Sequence, residues 1–453
     1  MRDLKAVALE EMLEERERRA GRIAALSCGG RVIVSFTMNI PGPIKNSFLI
    51  REGFHEGCRR LETILREDHI ISYRDYREDF PTGCEALYAV DGEALSVKKI
   101  CAAIEDGDKL GRLFDMDVIA SDGRKIERAE IGLSERGCMV CGASGRGCAS
   151  RRIHTVEELQ RETARRLIGS VGGFLVAELV HNALVDEVHV TPKPGLVDEA
   201  GSGSHADMTL PLFERSAAAL EPFWAQMFSV GRESADLSPE ETFLRLRKVG
   251  LEAERAMFAA TDGVNTHKGA IFLMGILCGA VGRLWNGFAL PCADDILAEC
   301  RRMTAAVMAA ELDEIKGSET GDTAGARLYL AHGLRGARGE VADGFPSVRD
   351  VSLPLLEEAL AAGLSENHAA AVALLHLIAL GKDTNLYHRG GAEGARWAAG
   401  AAKAALAEEG FPTPQRIAAL DQEFIARNLS PGGCADLLAV TLFLHRLDHL
   451  EEE

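Results

Sequence analysis

Asp115 and Asp117 stand two residues apart in Gly111-Arg112-Leu113-Phe114-Asp115-Met116-Asp117-Val118, alternating with apolar side chains. Residues two apart on a strand share a face, so this spacing presents both carboxylates together and sends Phe114, Met116 and Val118 the other way. Two carboxylates on one face suit one or two Mg²⁺ ions, the arrangement nucleotidyl transfer uses to clamp a triphosphate and its departing pyrophosphate. Upstream, Pro41-Gly42-Pro43 makes a rigid turn that displays Lys45, Asn46 and Ser47. Lys45 and Arg112 could supply positive charge there, and Ser47 a hydrogen bond. Asp-x-Asp is short and common, so a strand edge with two solvated aspartates is the plain alternative.

A second polar centre lies far downstream, at Gly263-Val264-Asn265-Thr266-His267-Lys268-Gly269. An apolar stretch follows at once, the pattern of a helix buried on every face. Such a helix start, with free amides and a positive dipole end, is a natural place for phosphate. Four more polar clusters interrupt the apolar helices of this region. They are Glu187 to Asp207, with Lys193 and Asp198; Ala337 to Gly344, with Arg338 and Glu340; Lys382 to Gly391, with Asp383, Asn385 and Arg389; and Leu429 to Leu437, with Asp436. Each alone reads as a helix cap, Asp436 and Ser430 above all. Five together point to loops converging at one end of a helical bundle. A polyphosphate there needs Mg²⁺ on carboxylates plus basic donors. The candidate carboxylates are Asp198, Asp207, Glu340, Asp383 and Asp436. The candidate donors are Lys193, His267, Lys268, Arg338 and Arg389, with Asn265 and Asn385 beside them.

Cys138, Cys141, Cys148 and His154 place three thiols and an imidazole in one short glycine-rich segment. That set suits a structural Zn²⁺. A loop of reduced cysteines is the alternative reading.

The elements that must hold these centres follow from composition and periodicity. At 453 residues two or three domains are expected. The apolar share of 47% and charged share of 26% belong to a soluble globular chain. A net charge of −18 argues against a general nucleic-acid or anionic-membrane binder, so anionic substrates must be held by local basic clusters. The longest apolar runs fall short of a bilayer span. The charged stretch Met1 to Arg22 does not resemble a signal peptide, and eleven cysteines then suggest reduced thiols in the cytoplasm. Within Leu4 to Leu26 a charged helix with a solvated face is expected. Strands are expected at Arg31 to Thr37, Tyr88 to Val90, Arg112 to Ala120 and Lys125 to Ile131, with Asp122-Gly123 as a hairpin turn. The first part, residues 1–155, is therefore α/β or α+β, and residues 156–453 form a larger all-α domain.

At these residues the chain resembles two families. Val34 to Thr37, Pro41 to Lys45, Gly111 to Val118 and Cys138 to His154 resemble the citrate lyase holo-acyl-carrier-protein synthases, the apo-citrate lyase phosphoribosyl-dephospho-CoA transferases. Pro192 to Asp198, Gly263 to Gly269, Gly336 to Glu340, Asp383 to Asn385 and Ser430 to Gly433 resemble the triphosphoribosyl-dephospho-CoA synthases. The resemblance implies a nucleotidyltransferase-like first domain and a two-step bifunctional transferase. ATP and 3′-dephospho-CoA would give 2′-(5″-triphosphoribosyl)-3′-dephospho-CoA and adenine. The phosphoribosyl-dephospho-CoA part would then pass to a serine of the citrate lyase acyl carrier protein, the gamma subunit, releasing pyrophosphate. In the first step Glu187, Glu340 or Asp383 could be the base, and His267 an acid, a base or a phosphate contact. Lys193, Lys268 and Arg338 would hold the triphosphate, while Asp115 and Asp117 position Mg²⁺ for the second step. A malonate-decarboxylase-type cofactor synthase and a metal-dependent phosphohydrolase are the alternatives.

Overall fold

The computed structural model describes residues 5–27, 30–67, 71–78, 80–143, 148, 151–285, 290–317 and 323–450. By internal contacts the chain divides into two compact units, residues 1–172 with 286–289, and residues 173–285 with 290–453. The division therefore falls some way beyond 155, and the helix from Val156 packs with the first unit.

In the first unit α1 (Leu9–Ser27) precedes β1 (Val32–Met38), α2 (Phe48–Glu67), β2 (Ile71–Arg77), β3 (Glu85–Val90), α3 (Ala94–Asp106) and β4 (Phe114–Ile119). The sheet order is β2-β3-β1-β4, with every neighbouring pair antiparallel. This is the split β-α-β-β-α-β arrangement. Central β1 is apolar at nearly every position because both its faces are covered. Phe36 stacks on Phe54 of α2 with centroids 5.1 Å apart and meets Phe114 edge-on at 5.2 Å. On the opposite face Ile33, Ala89 and Ile119 pack against Ile23 and Leu26 of α1. The charged run of α1 is thus not wholly solvated as the sequence suggests. Glu15 is buried, and Arg19 and Arg22 both reach the buried Glu85 carboxylate.

One strand expectation needs adjusting. The turn at Asp122-Gly123 forms, with Gly123 at φ +83° donating to Ala120 O at 2.9 Å. The returning segment, however, makes only an isolated bridge at Lys125 and then a 3₁₀ turn, Arg128–Ile131. Strand β2 and helix α3 carry no clear signal in the sequence. At the outer edge of β4, Ile126 N donates to Val118 O at 2.8 Å, and the rest is closed by side chains. Arg136 Nη1 donates to Phe114 O at 2.8 Å, Met116 N donates to Glu105 Oε1 at 2.8 Å, and Lys98 Nζ donates to Met116 O at 2.9 Å. Edge strands need such protection.

Helix α4 (Val156–Leu167) follows, running into a π-helical turn, Ile168–Gly172. Thr155 and Glu158 form its capping box.

Among its described residues the regular elements of the second unit are helices, joined by loops such as the one from 190 to 209, which carries an isolated bridge between Asp198 and Gly201. It begins with α5 (Gly173–His189), α6 (Leu210–Glu233), α7 (Pro239–Ala260), α8 (Lys268–Leu284) and α9 (Ala293–Gly317). It continues with α10 (Ala324–His332), α11 (Gly336–Ala342), α12 (Leu353–Ala361), α13 (Glu366–Ala379), α14 (Thr384–Glu409), α15 (Pro414–Ala426) and α16 (Gly432–His449). As its sequence requires, α8 is buried along almost its whole length. The stretch Val156–His189 is long and apolar enough by composition to cross a bilayer, contrary to the expectation that the apolar runs fall short of that length. Half of its apolar window is buried, and the α5 part packs against α6 and α16 as a core helix does.

Helices α6 and α8 approach closely through glycines. A Cβ on Gly231 would lie 2.1 Å from Gly279 O, whereas one on Gly250 of α7 would meet nothing within 4 Å. Gly231→Ala is therefore expected to cost about 1–3 kcal/mol through overpacking against backbone. Gly250→Ala is expected to be neutral or to stabilise by up to about 1 kcal/mol through helix propensity. Calorimetric unfolding of the two variants checks the contrast.

Candidate functional sites

The first centre lies on the α1 side of the sheet. Asp115 and Asp117 sit opposite Thr37 and Ser35 of β1, facing away from buried Phe114, Met116 and Val118, as the alternation requires. Lys125 Nζ is 2.6 Å from Asp117 Oδ1, and Arg136 Nη2 is 3.7 Å from Asp115 Oδ1. Burial, and then the neighbouring Asp117 charge, push Asp115 above the usual carboxylate range. A cavity of about 170 Å³ joins Asp115 to Lys45, Arg16, Arg19 and Thr37. Lys45 Nζ donates to Ile40 O at 2.5 Å, and burial followed by Arg16 lowers its affinity for a proton. Ser47 is buried at the start of α2, where its Oγ accepts from Ile50 N at 3.4 Å.

Arg112 is elsewhere. Its guanidinium donates to Gly137 O and borders a separate surface hollow with Arg128 and Arg136. Arg136 and Lys125 are the cations that reach the aspartates, and neither was singled out from the sequence. The predicted hairpin was the available signal for Lys125, since its turn folds that lysine back toward Asp117.

Two oxygen ligands with like-charge repulsion between them fit a hard divalent cation, which would relieve that repulsion. Asp115 and Asp117 are the residues that would hold Mg²⁺.

The second centre is a cavity of about 780 Å³ in the helical unit, bordered by residues from all five polar clusters. Its framework is a set of helix N-termini stitched by carboxylates. Asp383 Oδ1 accepts from Asn385 N at 2.7 Å and Leu386 N at 3.0 Å, capping α14. Its Oδ2 accepts from Cys434 N at 2.7 Å, in the first turn of α16. Asp436, two residues further on, lies beside Ala270 N at the start of α8, and that amide favours its charged form. A Cβ on Gly269 would come within 1.9 Å of Asp436 Oδ2, so that glycine makes room for a carboxylate of the protein. Asn265 Oδ1 accepts from Lys268 N at 3.2 Å. The α8 start, expected from its sequence to receive phosphate, thus has first-turn amides spent on Asn265 and Asp436.

Glu187 and Lys193 form a buried pair at 2.6 Å, and Lys193 Nζ also donates to Glu187 O at 2.5 Å. Asp198 does not border the cavity. Its carboxylate accepts from the amides of Lys193, Ala200 and Gly201 and organises the loop that delivers Lys193. Glu340 borders the cavity and accepts from Ser347 Oγ at 2.6 Å and Ser347 N at 3.1 Å. Arg338 turns away to Glu311, 3.2 Å off, and Arg335 stands at the cavity in its place. Arg389 donates to Ser204 O at 2.8 Å and meets His205, tying the first cluster to the fourth. Lys268 is half exposed, 2.9 Å from Glu254.

Burial, reinforced by Glu187 and Asp383, pushes Asp436 well above the carboxylate range. Burial likewise raises Asp383, against the pull of its three amide donors. His267 is buried, with Nδ1 2.7 Å from Ser216 Oγ. Thr266 Oγ1 donates to the same Ser216 oxygen at 2.7 Å, leaving the serine proton for His267 Nδ1. The Nε2 atom then carries the ring proton, and it is buried without a protein partner beside the cavity.

Burial and then Lys193 bring His267 down to about 3 from 6.5. Between those values the unfolded chain holds a proton that the folded one lacks, so stability falls as pH drops from about 6.5 toward about 3. His267→Gln is expected to flatten this acid limb, read as urea midpoints from neutral to mildly acidic pH.

Residues 174–453 match the family model described as ATP:dephospho-CoA triphosphoribosyl transferase. Residues 7–169 match that of apo-citrate lyase phosphoribosyl-dephospho-CoA transferase. The chain is 34% identical to Protein CitXG of Haemophilus influenzae over 448 residues, 96% of each chain. It is 31% identical to Protein CitXG of Leuconostoc mesenteroides subsp. cremoris, over 92% of this chain and 91% of the other. It is also 43% identical over 279 residues to a probable 2-(5″-triphosphoribosyl)-3′-dephosphocoenzyme-A synthase of Vibrio cholerae, 61% of this chain and 89% of that one. The chain therefore belongs to these two transferase families joined end to end, a bifunctional transferase that makes the citrate lyase prosthetic group and attaches it.

Proposed function

We propose that the two reactions divide between the two centres, the helical cavity joining ATP to 3′-dephospho-CoA and the aspartate pair of the sheet performing the transfer. The convergence of five separated clusters on one cavity carries this reading. In the first reaction a 2′-hydroxyl of dephospho-CoA attacks C1′ of the ATP ribose, the C1′–N9 bond breaks, and adenine leaves. The hydroxyl loses a proton and adenine gains one. Positive charge builds on the sugar meanwhile, and carboxylates stabilise it. Glu187, salt-bridged to Lys193, is the base in this scheme. Asp436, which holds its proton strongly, is the acid that protonates departing adenine, following the rule that carboxyls with opposed environments divide acid and base work. Asp383 positions the walls. His267 offers a neutral N–H donor, and Lys268, Arg335, Lys382 and Arg389 are the cations available to the triphosphate.

In the second reaction a serine hydroxyl of the acyl carrier protein, the gamma subunit of citrate lyase, attacks the α-phosphorus of the triphosphoribosyl group, and pyrophosphate departs. When bound, Mg²⁺ would neutralise charge on the phosphates beside Asp115 and Asp117. Lys45 and Arg136 add fixed positive charge there, in a nucleotidyltransferase type of chemistry. The compartment proposed is the cytoplasm, in keeping with eleven cysteines read as reduced thiols.

The test mixes the full chain, ATP, Mg²⁺, dephospho-CoA and apo carrier protein, following adenine by chromatography and carrier mass by spectrometry. Asp117→Asn is expected to slow carrier modification by at least about 100-fold while adenine release continues. Lys268→Ala is expected to slow adenine release roughly 10- to 100-fold while carrier modification from supplied intermediate continues. Loss of both reactions in either variant would overturn the division. Phosphate or AMP appearing without dephospho-CoA would favour a phosphohydrolase, and modification of a malonate decarboxylase carrier alone would reassign the partner.

A further inference from the structure

Cys138, Cys141, Cys148 and His154 come together in the folded chain, although sixteen positions separate the first from the last in sequence order. One ligand atom from each lies within 4.8 Å of all the others, and Cys141 Sγ is 3.4 Å from Cys148 Sγ. Sulfurs about 2.3 Å from a tetrahedral zinc stand about 3.8 Å apart, so the four atoms already surround a volume of the right size. The two halves are shaped independently. Cys138 N donates to Ala143 O at 2.6 Å and Gly142 N to Cys138 O at 2.9 Å, with Gly142 at φ +74° closing a tight turn around the first two thiols. Ile153 N donates to Cys148 O at 3.1 Å, bringing His154 back beside the third.

The histidine gives the second, independent observation. His154 Nε2 is buried and has no hydrogen-bond partner, an uncommon state for a polar ring atom. Its other nitrogen, Nδ1, lies 3.9 Å from Glu158 Oε2 of the α4 capping box. At that distance the carboxylate, whose Oε2 accepts from Thr155 N at 2.8 Å, is a charge beside the ring, short of the hydrogen bond that commonly orients zinc-binding histidines. Three thiolates, a neutral imidazole and Zn²⁺ carry a net charge of −1. Arg112 and Arg166 are on hand to offset it, bonded to Gly137 O and to Met139 O at 2.9 Å.

We propose that these four residues form a structural zinc site, closed by protein ligands. The metal is soft enough to prefer this sulfur-rich set and needs no redox change. Binding releases three thiol protons and forms four coordination bonds. The site has a consequence for the aspartate pair. Cys138 directly follows Arg136 and Gly137, whose contacts run to Phe114 O, Asp115 and Arg112. Zinc therefore clamps the loop that holds a guanidinium beside Asp115.

The experiment uses the full chain purified without chelator. Elemental analysis is expected to find about one zinc per chain, released when thiols are blocked and reported by a chromogenic chelator. Cobalt exchange is expected to give the absorption of a tetrahedral thiolate-bound ion. Cys141→Ser and Cys148→Ser should each lose the metal and slow carrier modification by about 10- to 100-fold, with adenine release unchanged. The wild-type metal content decides the matter even if a variant fails to fold. A metal-free chain whose mass shows a Cys141–Cys148 disulfide, a zinc-free chain in which Cys138, Cys141 and Cys148 all react with thiol reagents, or an iron–sulfur spectrum would each overturn the proposal. Failure of the transfer assay with zinc present at full stoichiometry would count against the two-centre reading and not against the metal.

Discussion

Everything in the helical unit's cavity depends on one buried carboxylate meeting two helix N-termini. Asp383 satisfies three amides, two on α14 and one on α16. Amides at a helix start have no partner within the helix and carry the positive end of its dipole, so an anion there is stabilised twice. Asp436 repeats the device between α16 and α8. Glycines at 269, 432 and 433 are the geometric counterpart, because a Cβ at each would press on Asp436, Asn385 or Asp383. Three helices are thereby aimed at one point, and the polar clusters between them become walls of one cavity.

The same device sets the chemistry. Carboxylates crowded at low exposure compete for few cations. Lys193 is buried against Glu187, while Asp436 is left with a raised affinity for its proton. One site thus contains an ion-paired carboxylate and one with a raised affinity for its proton, though all are acids of similar intrinsic strength. The sheet of the first unit solves a related problem differently. There the aspartates sit half exposed on β4, and cations from a turn and a loop, Lys125 and Arg136, come to them.

What could be read from the chain beforehand was what depends on short-range pattern. Alternation in Phe114 to Val118 put Asp115 and Asp117 on one face, and the unbroken apolar run after Lys268 implied a buried helix, because each follows from the period of its own element. Strand β2, with Arg74, Asp75 and Arg77 in it, is too polar to announce itself and forms because β3 offers an edge. The roles of single polar residues were hidden for another reason. Asn265 and Asp198 look like ligands in sequence, yet each spends its oxygens on nearby amides. Arg338 and Arg335 are three apart on α11 and its approach, and only the helix's rotation decides that Arg335 borders the cavity. Partners distant in the chain, such as Gly269 with Asp436, leave no local trace at all.

Charge then orders the cavity from mouth to floor. Its buried carboxylates, ammonium and imidazole are Glu187, Lys193, His267 and Asp383, three acidic or neutral groups around one committed ammonium. Its cations with exposed side chains, Lys268 and Arg335, lie toward solvent. A chain with net charge −18 repels polyphosphate at long range, and salt screens that repulsion beyond roughly 8–10 Å. Inside that distance, under the proposed division of reactions, the gradient would favour one orientation for a nucleoside triphosphate, phosphates at the basic mouth and sugar toward the acids. A ribose carbon gaining positive charge as its base departs is the part of the substrate that benefits from buried carboxylates. In the proposed first reaction, the arrangement that repels the phosphates from the floor would be the one that brings C1′ to it.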